Sequence, residues 1–158
     1  MHFTFYIIIV VIMAGVDQFI KIWASSNLMG TASVTVIPKL LQLTYTENYG
    51  AAFSIFWGKR WPLILITGTV LFGLFIYLIS GRCKDKYVSA GLTMIVSGGL
   101  GNLIDRIRLG YVIDYLDISP LFNYPIFNFA DCLVCVGAVG LAVYVLFFES
   151  SRAKRDRT

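Results

Sequence analysis

Four long runs with few or no charged side chains dominate this 158-residue chain, and they restrict its fold more than any other feature. A hydrocarbon core of roughly 30 Å is crossed by about 20 residues of α-helix. The second run, Trp61 to Ser80, is uncharged throughout. The third, Tyr87 to Ile104, is rich in small residues that let neighbouring helices approach closely. The fourth covers Cys132 to Phe148, and the first runs from Phe3 to about Trp23, with Asp17 and Lys21 near its far end. Only 14% of residues are charged, 58% are hydrophobic and the mean hydropathy is +0.76, values that set the chain apart from ordinary soluble domains. The first run lacks a preceding Lys or Arg and a small-x-small site after it, so a retained helix is expected.

Basic residues orient such a bundle. Arg82, Lys84 and Lys86 crowd the link at 81–86, and Arg152, Lys154, Arg155 and Arg157 close the chain. Four spans put that link and both termini on one side, expected to be cytoplasmic. Two longer loops, about 25–60 and 105–131, then lie on the outer face. The net charge of +4 suggests contact with anionic lipid rather than nucleic acid.

The first loop holds strand-favouring residues between Ser33 and Thr46, interrupted by Pro38, which suggests a small sheet with an edge or turn there. Gly50 to Gly58 has the aromatic content of a short interfacial helix. The second loop interleaves Asp105, Asp114, Asp117 and Asp131 with tyrosine and phenylalanine. It is too apolar for bulk water and too acidic for lipid, which places it at the interface, lining something.

Asp17 and Lys21, at i and i+4, share a helix face and can pair. Asn102 and Arg106 are spaced in the same way near the end of the third span, where Arg106 also complements the negative helix end. Asp131, taken alone, reads as a favourable charge at a helix N-terminus, with Asn128 as another cap. Asp114 alters that reading, because YVIDYLD embeds it in apolar sequence where an unpaired carboxylate is a liability. Two carboxylates at one site can share a proton and act as base and acid. Residue pattern alone leaves Asp105 and Asp117 open as members of such a pair. His2 is the only histidine, and the outer loops hold no His or Cys cluster with metal-ligand spacing, so no metal or other cofactor is expected. Two other classes of function stay open at this point. Cys132 and Cys135 could form a redox pair, and Asp17, Lys21, Asp105 and Arg106 could line a transport path.

Five motifs occur in order along nearly the whole chain: DQFIK, ENYGAAFS, GGLGNLIDR, GYVIDYLD and PIFNFAD. Together they resemble the bacterial lipoprotein signal peptidases, or signal peptidase II. The resemblance implies a single membrane-embedded domain, 1–158, in the bacterial cytoplasmic membrane: four helices, a small extracytoplasmic sheet and a short surface helix. It implies an intramembrane aspartyl endopeptidase that cuts diacylglyceryl-modified prolipoproteins before the lipidated cysteine, near the outer face. Matched by motif, the catalytic pair would be Asp114 and Asp131. Asn48, Asn102, Arg106 and Asn128 would support substrate or transition state, while Asp17, Lys21, Gly99 and Ala130 would be structural or substrate-proximal. The expected partners are prolipoprotein substrates and membrane lipid, with the chain acting as a monomer.

Overall fold

The structure, a computed structural model, describes residues 2–50 and 60–149. In chain order the elements are α1 (His2–Leu28), β1 (Val34–Ile37), β2 (Leu41–Asn48), α2 (Arg60–Ile79), α3 (Lys86–Arg108), β3 (Val112–Asp117) and α4 (Phe129–Tyr144), which continues into a π-helical turn over Val145–Glu149. All four α-helical segments, the last counted through Phe148, are long and apolar enough to cross a membrane. The surface helix expected near Gly50–Gly58 and the basic tail from Arg152 onward lie outside the described residues.

The helices run further than their uncharged stretches. α1 continues past Trp23 to Leu28, and α3 continues past Ile104 to Arg108. Asp105 and Arg106 are therefore helical residues rather than the start of a loop. The extension is possible because the carbonyls at that end find donors: Arg60 of α2 donates to the Arg106 carbonyl at 2.9 Å and to the Ile107 carbonyl at 2.6 Å. A cation thereby satisfies orphan acceptors at the negative end of the helix. α4 likewise begins at Phe129, three residues before its uncharged run, because Asn128 and Asp131 form a capping box.

α3 is the central helix. Half of its membrane-length window is buried, against 22%, 22% and 11% for the windows of α1, α2 and α4. Its composition explains this: Ser89, Gly91, Thr93, Ser97, Gly98, Gly101 and Asn102 face inward. The Thr93 hydroxyl donates to the Ser89 carbonyl at 2.7 Å and the Ser97 hydroxyl to the Thr93 carbonyl at 2.6 Å, so neither is left unpaired. At Gly98 a Cβ would stand 2.2 Å from the Ala130 carbonyl oxygen, so glycine there is what lets α3 and α4 touch along their backbones. Outward faces carry large apolar residues, including Phe19 at 73% and Phe72 at 67% exposed. On a membrane-spanning helix such apolar faces are the ones lipid covers.

At the end of the bundle where α1 and α3 finish and α2 and α4 begin, an antiparallel sheet runs in the order β1-β2-β3. Pro38 falls in the turn between β1 and β2, where Lys39 adopts a left-handed φ of 63°. β3 is a strand that the sequence reading did not find. Its residues alternate in the usual way, but both faces are covered, so VIDYLD lacks the polar-apolar alternation of a half-exposed strand. Ile113 and Tyr115 pack against Ala24 and Leu28 of α1, and Asp114 turns to the other side. A bridge between Leu116 and Phe127 then folds the chain back, which delivers Asn128 beside Asp114 and starts α4.

Candidate active site

Asp114 sits on β3 and is 2% exposed. One carboxylate oxygen accepts from the Asn48 side-chain amide on β2 at 2.9 Å, the other from the Asn128 amide at 2.6 Å. Asp131, in the first turn of α4, is partly exposed. Its Oδ1 accepts from the Asn102 amide at 2.8 Å and its Oδ2 from the Asn128 backbone N–H at 3.2 Å. Asn128 thus touches both aspartates, one with its side chain and one with its backbone.

The orientations of the amides follow from chemistry. Lys21 can only donate, and its Nζ lies 2.8 Å from Asn102 Oδ1, so the Asn102 NH2 group must face Asp131. Asn128 Oδ1 accepts from the Asp131 backbone N–H at 2.9 Å as the helix cap, so the Asn128 NH2 group must face Asp114. Capping α4 and binding Asp114 are therefore one arrangement. Ala130, fully buried, sits between the two and donates its backbone N–H to Asp17 at 3.0 Å.

Neither aspartate has an ion-pair partner among the described residues. Burial is the main influence on Asp114, and the charge of Asp131 reinforces it. Amide donors pull the other way, and the balance pushes its carboxyl up to about 7. Asp131 opens onto a pocket of about 240 Å³. Asn48, Asn102 and Arg106 give the pocket a polar side; Val112, Tyr124, Phe127, Val134 and Cys135 give it an apolar one. Arg106 also donates to the Gly50 carbonyl at 2.8 Å, tying the segment after β2 to α3 at the pocket.

A second acidic cluster lies close by and differs in kind. Lys21 pairs at 2.9 Å with both Asp17 and Asp105, and all three side chains are at most 1% exposed. Two carboxylates against one ammonium leave net negative charge, which the Gln18 amide offsets by donating to Asp105 at 2.8 Å, the Ile113 N–H by donating to it at 3.2 Å, and the Ala130 N–H by donating to Asp17. A Cβ at Gly101 would lie 2.4 Å from Asp17, so the helices close directly onto this cluster. Asp17, Lys21 and Asp105 are locked together in one ion cluster, while Arg106 faces the pocket beside Asp131. Asp117 is held elsewhere. Burial opposes its charge, but donors from Ser119, Gln42 and Thr44 prevail and hold its carboxyl down at about 2.

Of the residues singled out in the sequence, Asn48, Asn102, Asn128, Asp114 and Asp131 form one network, with Arg106 on the same pocket. Gly99 stands apart, pressed on Leu71 of α2, where a Cβ would meet that side chain at 2.4 Å. Cys132 and Cys135 are not bonded to each other, and Cys135 lies on the pocket wall. Sequence reasoning missed Arg60 as the cap of α3, and Tyr115, whose hydroxyl accepts from the Phe129 N–H at 3.2 Å and so fixes the start of α4. It also missed that Lys21 orients Asn102; the motif order placed both residues but gave no sign of the contact.

Fold and site define a polytopic membrane protein with a carboxylate site where its helices meet a surface sheet. The sequence model described as signal peptidase (SPase) II matches residues 8–147. The lipoprotein signal peptidase of Clostridioides difficile strain 630 is 43% identical over 146 residues, 92% of this chain and 97% of that protein. That of Clostridium novyi strain NT is 39% identical over 142 residues, 87% and 96% of the two chains. Two bacterial membrane enzymes of known structure, determined by the in meso method, superpose with TM-scores of 0.85 and 0.81 at 30% and 29% identity. The alignments cover 94% and 92% of this chain and 91% and 94% of theirs. The chain belongs to the signal peptidase II family and is a multi-pass membrane protease.

Proposed function

We propose that this protein is an intramembrane aspartyl endopeptidase that removes the signal peptide from diacylglyceryl-modified prolipoproteins, cutting just before the lipidated cysteine. The observation that carries the reading is the meeting of Asp114 and Asp131 at Asn128, both facing neutral amides and one opening onto a pocket. The buried Asp114 is the acid of the pair, and Asp131, nearer to water, is the base. Asp131 draws a proton from water as its oxygen adds to the scissile carbonyl, while the proton of Asp114 meets the developing oxyanion. Collapse of the tetrahedral species breaks the C–N bond, and the amine leaves with the proton that Asp131 took. Because the carboxyls are coupled, the two apparent pKa values belong to the pair.

Asn102 and Asn128 hold the carboxylates, Asn48 holds Asp114 from β2, and Arg106 presents its guanidinium to the pocket beside the substrate backbone. The apolar wall receives the substrate chain, and the lipid chains remain in the bilayer. One domain carries all of this and works as a monomer. Both termini are cytoplasmic and the site lies near the outer face, a reading supported by the basic link Arg82–Lys86.

The test is cleavage of a diacylglyceryl prolipoprotein by purified protein in nanodiscs, comparing wild type with Asp114→Asn and Asp131→Asn. Cutting before the modified cysteine by wild type and by neither folded variant supports the reading. Undiminished cleavage by either variant removes that residue from the mechanism.

A further inference from the structure

At the end of the bundle opposite the sheet, two neighbouring hollows take no part in the reaction above. One, of about 470 Å³, is walled by Lys84, Asp85, Lys86 and Tyr87. The other, of about 310 Å³, is lined by Tyr87, Gly140, Val143, Tyr144 and Phe148. Tyr87 belongs to both, so a polar hollow adjoins an apolar groove on α4.

The groove has a local cause. Gly140 has no side chain, and a Cβ built there would meet nothing within 4 Å. One turn on, the Tyr144 ring leans toward Tyr87 of α3, with centroids 5.2 Å apart, and Phe148 stacks on Tyr144 at 6.2 Å. The aromatic groups thus border a trough with an empty floor. Val143 and Phe148, at 44% and 61% exposed, turn outward to where lipid lies.

The polar hollow is cationic in effect. Asp85 directs one oxygen to the Tyr87 and Val88 N–H groups as the cap of α3, and the other accepts from the Tyr144 hydroxyl. Both of its oxygens are thus engaged within the fold. The ammonium groups of Lys84 and Lys86 stand exposed beside it, with exposed Arg82 in the same link. Lys86 lies 5.0 Å over the Tyr87 ring, at the boundary between the hollows.

A cationic hollow joined to an apolar trough on a lipid-facing surface suits a molecule with an anionic head and a hydrocarbon tail. We propose that this end of the protein binds one anionic phospholipid, its phosphate against Lys84 and Lys86 and one acyl chain over Gly140 between Tyr87 and Phe148. A zwitterionic lipid of the same chain length fits the trough but brings its own cation to the lysines. Free phosphate gains nothing from the trough.

Native mass spectrometry of the full chain in detergent tests this. It would be titrated with phosphatidylglycerol, with phosphatidylcholine of matched chains, and with glycerol phosphate. Wild type should retain phosphatidylglycerol roughly tenfold more tightly than phosphatidylcholine, given the usual attraction of a lysine to an anionic headgroup, and should not retain glycerol phosphate. Lys84→Gln/Lys86→Gln should bring the ratio of the two lipids to about one. Gly140→Leu, whose Cβ meets nothing within 4 Å and whose side chain occupies the trough, should weaken both lipids alike. Prolipoprotein cleavage in the same detergent should be unchanged in both variants, showing that each is folded. Equal retention of both lipids by wild type would overturn the proposal. So would retention of glycerol phosphate as tight as that of the lipid.

Discussion

Two acidic clusters stand side by side in this protein, linked by Asn102, and they are built on opposite principles. In one, Asp17 and Asp105 grip a single buried ammonium, and the bundle closes over all three. In the other, Asp114 and Asp131 meet only amides and a backbone N–H, and one of them opens to a pocket. A carboxylate matched by a buried cation can hold helices together. Carboxylates held by neutral donors keep their geometry without an ion pair, which suits the proton sharing proposed for them. Under the proposed function, the contrast separates the two acids given the chemistry from the acids that hold the helices together.

The sharpest way to break the contrast is at the amide-held pair. Asp114→Asn and Asp131→Asn should each lower cleavage by roughly 10⁴-fold, the upper range for loss of a positioned acid or base, while the purified variants keep their helical circular dichroism. The other cluster should respond in stability instead. Lys21→Met leaves two buried carboxylates without their cation, at a cost of roughly 3–5 kcal/mol, measurable as a lowered denaturation midpoint in detergent. Activity should fall with it, because Asn102 loses the donor that orients it.

Gly98→Ala probes the close contact that positions α4 beneath the site. A methyl group 2.2 Å from the Ala130 oxygen forces the helices apart, for a loss of about 1–3 kcal/mol in the same denaturation assay. Changing pH sharpens the comparison further. The rate should fall as pH rises through about 7, where the pair, raised by the burial of Asp114, gives up its shared proton, approaching roughly tenfold per pH unit, or about 1.4 kcal/mol. For stability the sign is that of a raised carboxyl. Between 3.8 and about 7 the folded state keeps a proton that the unfolded state has lost, so stability declines with rising pH over that window. Asp114→Asn should remove that slope. The smallest effect is expected for Cys132→Ala and Cys135→Ala, a change in rate of less than about threefold. Abolition of activity by either would favour thiol chemistry.

Much of the architecture was legible because lipid imposes simple demands. Long uncharged runs located the four helices, and glycine and serine in the third marked it as the one others pack against. The ends were less legible. Counting stops at the first charge, while the α3 helix continues through Asp105, Arg106 and Arg108, whose side chains find partners on other elements. β3 escaped notice because burial on both faces removes the alternation by which strands are recognised. In the site, Asp17 and Lys21 were readable as an i, i+4 pair. That Asp105 completes their cluster and Asp117 is bound by β2 could not be read, since both contacts join residues 73 to 84 positions apart. Motif order therefore suggested Asp114 and Asp131, and tertiary hydrogen bonding gives the physical reason why their neighbours differ.

The most direct measurement of the central claim is an infrared titration of the protonated carboxyl band in purified protein, wild type against Asp114→Asn and Asp17→Asn. The account predicts a band that disappears as pH rises through about 7 in wild type and in Asp17→Asn, and is missing from Asp114→Asn. A titrating band that survives in Asp114→Asn, or one that vanishes only in Asp17→Asn, would contradict it and move the shared proton to the cation-held cluster.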